Sequence, residues 1–191
     1  MYTCDYDLFL WLNFDGGPIM DKAMLLASKP LTWIGVYLLM LYIIYRRHSW
    51  RGVLIFLLAA ALAMGVADIV SGIFKHSGLL GDLWASFPAR PRPMHTPALQ
   101  DKIHVLTSGG QYGTVSGHAA TLTAITLLSS LAIRRRWFVW MMVVVAITVC
   151  YSRIYLAYHF PIDIALGVAT GLLSGATGWF FYKWSIKRWC K

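Results

Sequence analysis

Long apolar stretches alternate with short basic clusters along most of this chain. Each stretch has, or nearly has, the roughly 20 apolar residues that a helix needs to cross about 30 Å of hydrocarbon. The pattern therefore predicts an all-α membrane bundle of about five transmembrane helices. The first predicted span is interrupted at Ser28-Lys29-Pro30. The five spans are expected at about residues 24–45, 53–75, 116–133, 137–155 and 161–182.

A shorter apolar segment precedes these spans. It covers residues 8–14 and ends at the turn-forming residues 15–18. This length is too short to cross a bilayer, so we predict an N-terminal helix lying at the membrane interface. No internal repeat and no second domain is evident, and residues 1–191 are expected to form one membrane-embedded domain.

Composition and charge support a membrane protein and argue against nucleic acid as a partner. The chain is 58% hydrophobic and 13% charged, which is too apolar for an ordinary soluble domain. Its net charge of +9 is concentrated in clusters within residues 46–51, 134–136 and 183–191. The positive-inside rule places such clusters in the cytoplasm. Five spans with the N-terminus outside satisfy that rule for all three clusters.

This topology brings polar residues from distant parts of the sequence to the extracytoplasmic face. Arginine offers a planar fork of donors for phosphate oxygens, and lysine offers a compact charge. Ser116 is predicted to cap a helix whose first N–H groups then face an anion, while Gly117 permits close backbone approach. The residues predicted to meet there are Lys75, Arg90 or Arg92, Ser116, Gly117, His118, Arg153, His159 and Asp163.

Taken singly, these residues have ordinary structural explanations. Lys75 and Arg153 can be interface anchors that extend their charged ends to water. His159 and Asp163 can cap a helix, and residues 90–93 can form a rigid loop, because residues before proline favour extended backbone. Their convergence on one face favours a phosphate site instead. A carboxylate at Asp163, four residues after His159, is then expected to orient the imidazole.

Three motifs in these residues resemble those of the phosphatidic acid phosphatase type 2 superfamily. Ser152-Arg153, His159 and Asp163 match its Ser-Arg-x5-His-x3-Asp motif. Val115-Ser116-Gly117-His118 is similar to its Pro-Ser-Gly-His motif, with valine in place of proline. The first motif, a lysine followed by Arg-Pro, departs most, because Lys75 lies well before Arg92-Pro93 and residues 78–88 look like an insertion. The resemblance covers about residues 60–175.

The resemblance implies a role for each residue. His159 would attack phosphorus and form a phosphohistidine, Asp163 would orient it, and His118 would protonate the leaving oxygen and then activate water. One histidine must be neutral and the other protonated, so a bell-shaped pH–rate profile is expected. Between the two arginines, the Arg-Pro-Arg-Pro pattern favours Arg92. The phosphate would be held by Lys75, Arg92, Ser116, Gly117 and Arg153.

These roles imply a metal-independent lipid phosphatase that needs no cofactor. Magnesium and calcium sites favour clustered carboxylates, and the chain contains no glutamate. The expected partners are a lipid phosphate and the cytoplasmic (inner) membrane, with the site on the extracytoplasmic side; the sequence sets no oligomeric state. Candidate substrates are undecaprenyl pyrophosphate, phosphatidylglycerol phosphate, phosphatidate and a lipid A phosphate. Undecaprenyl pyrophosphate leads narrowly, because the compact chain resembles bacterial members of the family.

Two other functions fit the same residues. In a lipid phosphotransferase, a second lipid hydroxyl would replace water at the phosphohistidine. A non-catalytic phospholipid binder or carrier would need the cations but not the set of His118, His159 and Asp163, so this alternative is disfavoured.

Overall fold

The computed structural model describes the backbone of residues 2–189, and it is built from α-helices joined by turns. Within that range the structure contains no β-strand, and an isolated bridge pairs Pro91 with Tyr112. The predicted all-α class is thereby confirmed. The helices are α1 (Tyr2–Leu12), α2 (Gly17–Ala27), α3 (Ile34–Ile73), α4 (Gly117–Ile133), α5 (Arg136–Tyr155) and α6 (Pro161–Trp189).

Helix α3 reverses its direction at Ser49. The backbone of this residue is left-handed in φ, with φ 59° and ψ −169°. In a straight helix, Met40 and Ala60 would lie about 30 Å apart. Both instead belong to one buried cluster with Phe56 and Leu128. Helix α3 therefore consists of two arms, residues 34–48 and 50–73, which pack side by side.

The first predicted span begins later than the hydropathy pattern indicated. Helix α2 ends at Ala27, and residues 30–33 form a 3-10 turn before Ile34 begins the first arm. Lys29 is extended, with φ −88° and ψ 129°, as expected for a residue before proline. The predicted helix over 24–45 is thus wrong at its start, because Pro30 separates two helices that share one apolar stretch.

By length and composition, three helical segments of the described chain could cross a membrane. They are Pro30–Ile73, Arg136–Tyr155 and Pro161–Trp189, whereas the apolar helix α4 is shorter, with 17 residues. The segment Pro30–Ile73 contains both arms of α3. An all-helical membrane bundle is supported, but the predicted number of about five spans is not confirmed.

Helices α4 and α6 pack with their backbones in close contact. A Cβ atom on Gly171 would lie 2.4 Å from the Ala120 carbonyl oxygen, and one on Gly175 would lie 2.9 Å from that of Ala124. Larger side chains at these positions would separate the two helices. Since α4 and α6 begin beside each other, this packing also fixes the distance between their N-terminal ends.

The three basic clusters lie at one end of the bundle. Arg47 Nη1 donates hydrogen bonds to the carbonyls of Ala132 and Ile133, at 2.9 and 2.8 Å. Arg134 and Lys183 line the same cleft as Arg47. At this end the cations satisfy free carbonyls or face outward, and the opposite end holds the starts of α4 and α6.

Helices α1 and α2 pack against that opposite end. The buried Asn13 donates from Nδ2 to the Tyr155 carbonyl at 2.7 Å and accepts from the His104 N–H at 2.8 Å. Phe9 of α1 is fully buried, whereas Trp11 is 74% exposed. The predicted N-terminal helix is therefore present, and one face of it forms part of the packed fold.

Candidate active site

A tight turn after α5 places His159 beside Arg153. Ala157 adopts a left-handed conformation with φ 54°, and the Arg153 carbonyl accepts from the N–H groups of both Tyr158 and His159, at 3.0 and 3.2 Å. These two hydrogen bonds to one carbonyl oxygen close the end of the helix. The motif residues Arg153 and His159, six positions apart, are thus brought together by local backbone geometry.

The Arg153 side chain is held by two neighbours. Its guanidinium carbon lies 3.8 Å from the centre of the Tyr158 ring, and Nη1 donates a hydrogen bond to Ser28 Oγ just after α2. Arg153 is only 7% exposed. These contacts fix its planar fork in one orientation, which favours recognition of an oxyanion.

His159 is 2% exposed, and its orientation is set by a backbone carbonyl. Nδ1 lies 2.9 Å from the Gly113 oxygen. A carbonyl can only accept, so Nδ1 carries the hydrogen and Nε2 carries the free lone pair. Asp163 Oδ2 is 3.6 Å from Nδ1 and accepts instead from the Phe160 N–H at 2.9 Å. Asp163 and His159 are therefore within ion-pair distance but are not hydrogen-bonded to each other. His159 Nδ1 donates its hydrogen bond to the Gly113 carbonyl.

The surroundings of His159 favour its neutral form. Burial and the nearby charges of Arg92 and Arg153 hold the pKa of His159 well below its usual value. Neutral imidazole is the nucleophilic form, so the residue is ready to react at neutral pH.

The N-terminus of α4 lies next to this histidine. Ser116 is the N-cap, as predicted: its Oγ accepts from the Ala119 N–H at 3.4 Å, and its own N–H donates to the Asp163 carbonyl at 3.0 Å. A Cβ atom on Gly117 would lie 3.3 Å from Lys75 Nζ. Lys75 therefore reaches the start of α4 in spite of its unusual spacing from Arg92.

The segment after Lys75, which looks like an insertion in the sequence, folds back on the end of α3. The rings of Trp84 and Phe87 pack against Phe74, with centroids at 5.9 and 5.1 Å. His76 has a positive φ of 51°, and its Nε2 is hydrogen-bonded to the Phe87 carbonyl at 2.8 Å. The extra residues form a compact loop beside the site.

The two candidate arginines occupy different places. Arg92 donates from Nε to the Tyr112 carbonyl at 3.0 Å, and its guanidinium carbon lies 5.4 Å from the Tyr158 ring. A Cβ on Gly113 would lie 2.9 Å from Arg92 Cγ and 3.3 Å from His159 Nδ1, so both side chains flank Gly113. Arg90 instead pairs with Asp5 at 2.6 Å and lies 3.6 Å from Asp163. Arg92 is thus the arginine of the two that lies beside His159.

Three cations share the site with few carboxylates. Burial lowers the pKa of Lys75, and the neighbouring charges of Arg92 and Arg153 lower it further. Burial likewise lowers the pKa of Arg92. Buried like charges repel one another, and an anion placed among them would relieve both the repulsion and the cost of burial. The arrangement suits a phosphoryl group.

His118 lies at the polar end of an apolar cavity. The side chain is exposed towards a cavity of about 360 Å³ that runs between α3 and α4. Ser28, the partner of Arg153, lines the same polar end, and Met40 and Leu122 line the apolar part. A hydrocarbon chain could occupy this cavity while its polar head faces His118.

A group that could offer metal ligands lies outside these residues. Asp15, Asp21 and His104 have ligand atoms within 4.8 Å of one another. Asp21 already accepts hydrogen bonds from Tyr155 and His104, and these bonds lower its pKa. This group fixes α2 against the end of α5.

The sequence did not predict three contributors to the site. Tyr158, which contacts both Arg92 and Arg153, adjoins His159 and carries an aromatic ring, so its position in the motif was a usable signal. Ser28 and the Gly113 carbonyl left no such signal. Ser28 follows a helix that is distant in the sequence. A backbone carbonyl is present in every residue, so the residue type at position 113 does not reveal it.

A family model describes most of this chain. The model of the PAP2 superfamily matches residues 56–190. The chain belongs to the PAP2 superfamily. This confirms the resemblance drawn from the three motifs, and the match extends further towards the C-terminus than the motifs alone indicated.

Two curated proteins resemble nearly the whole chain. One is named lipid A 4′-phosphatase of Porphyromonas gingivalis and is 30% identical over 185 residues, covering 96% of this chain and 75% of that protein. The other bears the same name in Bacteroides thetaiotaomicron and is also 30% identical over 185 residues, with 95% and 77% covered. The prediction that this chain is a phosphatase acting on a lipid phosphate is confirmed at that level.

A solved structure shares the fold. The crystal structure of Aquifex aeolicus LpxE aligns with a TM-score of 0.59 and covers 91% of this chain and 93% of that one, at 19% sequence identity. At this coverage the alignment includes part of the N-terminal region that the family model does not match.

Proposed function

We propose that this PAP2 protein removes a phosphate from lipid A or a closely related lipid through a phosphohistidine at His159. The observation that carries the proposal is the hydrogen bond from His159 Nδ1 to the Gly113 carbonyl, which leaves Nε2 free beside Arg92 and Arg153. The whole chain acts as one membrane-embedded domain, and the N-terminal helices support the site.

The reaction would proceed in two displacements. His159 Nε2 attacks phosphorus, the bond from phosphorus to the lipid oxygen breaks, and His118 gives its proton to that oxygen. His118 then takes a proton from water, whose oxygen attacks phosphorus and breaks the P–N bond. Inorganic phosphate leaves and His159 returns to its neutral form. No metal or cofactor enters these steps.

The phosphoryl oxygens would be held by fixed donors. Lys75, Arg92 and Arg153 supply positive charge, and the first N–H groups of α4, at Gly117 and beyond the Ser116 cap, supply a helix N-terminus. Donors that are already in place stabilise the charge of the transition state without reorganisation.

The names of the relatives and the apolar cavity together favour lipid A over the other candidates. Both relatives named above are lipid A 4′-phosphatases, so the 4′-phosphate is the first position to test. The cavity beside His118 suits an acyl chain. Undecaprenyl pyrophosphate, phosphatidylglycerol phosphate and phosphatidate are comparison substrates in the same assay.

We propose an inner-membrane location with the site at the extracytoplasmic face. The three basic clusters lie at the opposite end of the bundle, and the positive-inside rule assigns that end to the cytoplasm. Access of a membrane-impermeant thiol reagent to cysteines introduced singly at Trp84 and at Arg135 of a cysteine-free variant would test the orientation. Labelling of the cysteine at position 135 from outside intact cells would show that the orientation is the opposite of the one proposed.

The decisive experiment measures phosphate release by the purified protein in detergent. Lipid A is compared with the three other lipids, with and without EDTA, and beside His159→Ala. We expect fastest release from lipid A, no effect of EDTA and no release by the variant. Faster release from another lipid would replace lipid A as substrate, and retained turnover in the variant would reject the nucleophile.

The same assay separates hydrolysis from transfer. In a hydrolase, released phosphate equals the lipid consumed. A shortfall matched by a newly phosphorylated lipid would identify a phosphotransferase, which uses the same residues.

A further inference from the structure

We infer that Asp5 of α1 is a positioning residue of the active site and that it acts through Arg90 on Asp163. Helix α1 lies outside the region that the family model matches. Assigning Arg92 to the first motif leaves both Asp5 and Arg90 without a role in the motifs. The inference rests on the proposed chemistry at His159. It adds two charged residues, Asp5 and Arg90, that act on Asp163 from the side opposite His159.

Arg90 lies between two carboxylates. Its Nη1 is 2.6 Å from Asp5 Oδ2 and 3.6 Å from Asp163 Oδ1. The side chains of Arg90, Asp5 and Asp163 are 12, 11 and 1% exposed, so these charges are largely removed from water. Attraction between such charges is weakly screened, and each carboxylate constrains where the guanidinium lies.

The planar group of Arg90 is also fixed by an aromatic ring. Its guanidinium carbon lies 3.6 Å from the centre of the Phe160 ring. Phe160 itself stacks on Tyr6 at 4.9 Å and meets the edge of Phe9 at 5.2 Å, and both of these rings belong to α1. Helix α1 therefore holds the Arg90 guanidinium in two ways. Asp5 attracts its charge, and Tyr6 and Phe9 support the Phe160 ring on which it lies.

Asp5 has a second contact, with the start of α6. Its Oδ1 accepts from the Ile162 N–H at 3.1 Å. Ile162 directly precedes Asp163, and Phe160 directly follows His159. One carboxylate of α1 thus binds both the backbone that joins His159 to Asp163 and the arginine that faces Asp163.

The other carboxylate oxygen of Asp163 faces the reacting histidine. Oδ2 is 3.6 Å from His159 Nδ1, while Oδ1 faces Arg90. When the histidine acquires positive charge as the phosphohistidine forms, Asp163 must stay ionised and keep its orientation. Arg90 favours both, and Asp5 holds Arg90 in place. Asp5 and Arg90 are therefore proposed to act through Asp163 and not on the phosphate itself.

The test is a set of variants assayed with lipid A and with the small substrate p-nitrophenyl phosphate. Asp5→Asn keeps the size of the side chain and removes its charge. We expect it to lower kcat by about tenfold, with KM within about twofold of wild type, as found when partners behind a reacting group are changed. Arg90→Met should lower kcat by about 100-fold, because Asp163 loses its fixed cation.

Asp7→Asn is the matched control. Asp7 lies on the exposed face of the same helix, two residues from Asp5, and should leave kcat and KM unchanged. The double variant Asp5→Asn/Arg90→Met should be no slower than Arg90→Met alone, since Asp5 acts through Arg90. Arg90→Lys, which keeps the charge, should recover part of the activity lost in Arg90→Met.

Loss of kcat in Asp5→Asn with both substrates, at a temperature well below its Tm and with Asp7→Asn unaffected, supports the inference. It is overturned if Asp5→Asn matches Asp7→Asn, if the double variant shows the product of the two single losses, or if KM rises in place of the fall in kcat. Failure of the proposed function is seen separately, as wild-type activity that His159→Ala retains.

Discussion

The two ends of the bundle both concentrate cations, but they use them differently. At one end Arg47 binds the free carbonyls of α4, and Arg134, Arg135 and Arg136 are exposed. At the other end Arg153 is 7% exposed and lies with Lys75 and Arg92 around a buried histidine. The first arrangement orients and caps the helices. The second arrangement confines positive charge in a buried region, where a bound anion would relieve the repulsion between the cations.

The largest expected difference between the ends concerns histidine. His159→Ala should abolish turnover, with a loss of about 10⁴-fold or more, because no other group replaces the nucleophile. His48→Ala, at the basic end, should leave kcat within about twofold. Phosphate release and trapping of a phosphorylated protein after acid quench both measure this. Equal activities of the two variants would remove the distinction between the ends.

Arginines at opposite ends of helix α5 provide the next test. Arg153→Met should lower kcat/KM by about 10²- to 10³-fold, since a fixed donor to the transition state is lost. Arg135→Met, at the exposed start of the same helix, should change kcat/KM little. Steady-state kinetics with lipid A compares them. A loss in Arg135→Met as large as that in Arg153→Met would show that the effect arises from the stability of α5.

The pH dependence reports the buried charges directly. Because the pKa of His159 is held well below its usual value by burial and by Arg92 and Arg153, the neutral nucleophile persists as the pH falls. The acid limb of kcat/KM should therefore lie below about pH 6.5. In Arg92→Met this limb should move to higher pH, because one repelling cation is gone. An unshifted limb in the variant would assign it to another group.

The smallest effect is expected at the basic end. Arg47→Met removes two hydrogen bonds to the end of α4 and should lower stability by about 1 kcal/mol, or Tm by about 2–4 °C. The kcat value should stay unchanged, since the site lies at the other end. Thermal unfolding in detergent and phosphate release measure the two quantities. A fall in kcat without a fall in Tm would link the two ends.

Much of the fold could be predicted from the sequence, because membrane helices are selected by apolar length and helix ends by local chemistry. Ser116 at the N-cap of α4 and Pro161 at the start of α6 follow this logic. The error at the first span arose because hydropathy does not register that Pro30 divides one apolar stretch into separate helices. The reversal at Ser49 also required the tertiary structure, although a basic cluster marked its place.

The candidate site divides in the same way. Residue types and spacing sufficed to select Arg153, His159 and Asp163, because phosphate chemistry needs those groups and the turn after α5 is local. The spacing of Lys75 departs from the motif, and the sequence favours Arg92 over Arg90 only by the Arg-Pro-Arg-Pro pattern. Both questions depend on how distant segments pack.

The sequence by itself determined that this protein is an α-helical PAP2 membrane enzyme, and it selected the residues of the candidate site. Only the tertiary structure decided which partner orients His159. That partner is a backbone carbonyl at Gly113, a group common to every residue and therefore invisible in the sequence. The tertiary structure also decided that Arg90 lies between Asp5 and Asp163. Buried charges from distant segments are paired by the packing of those segments, which spacing in the sequence does not show.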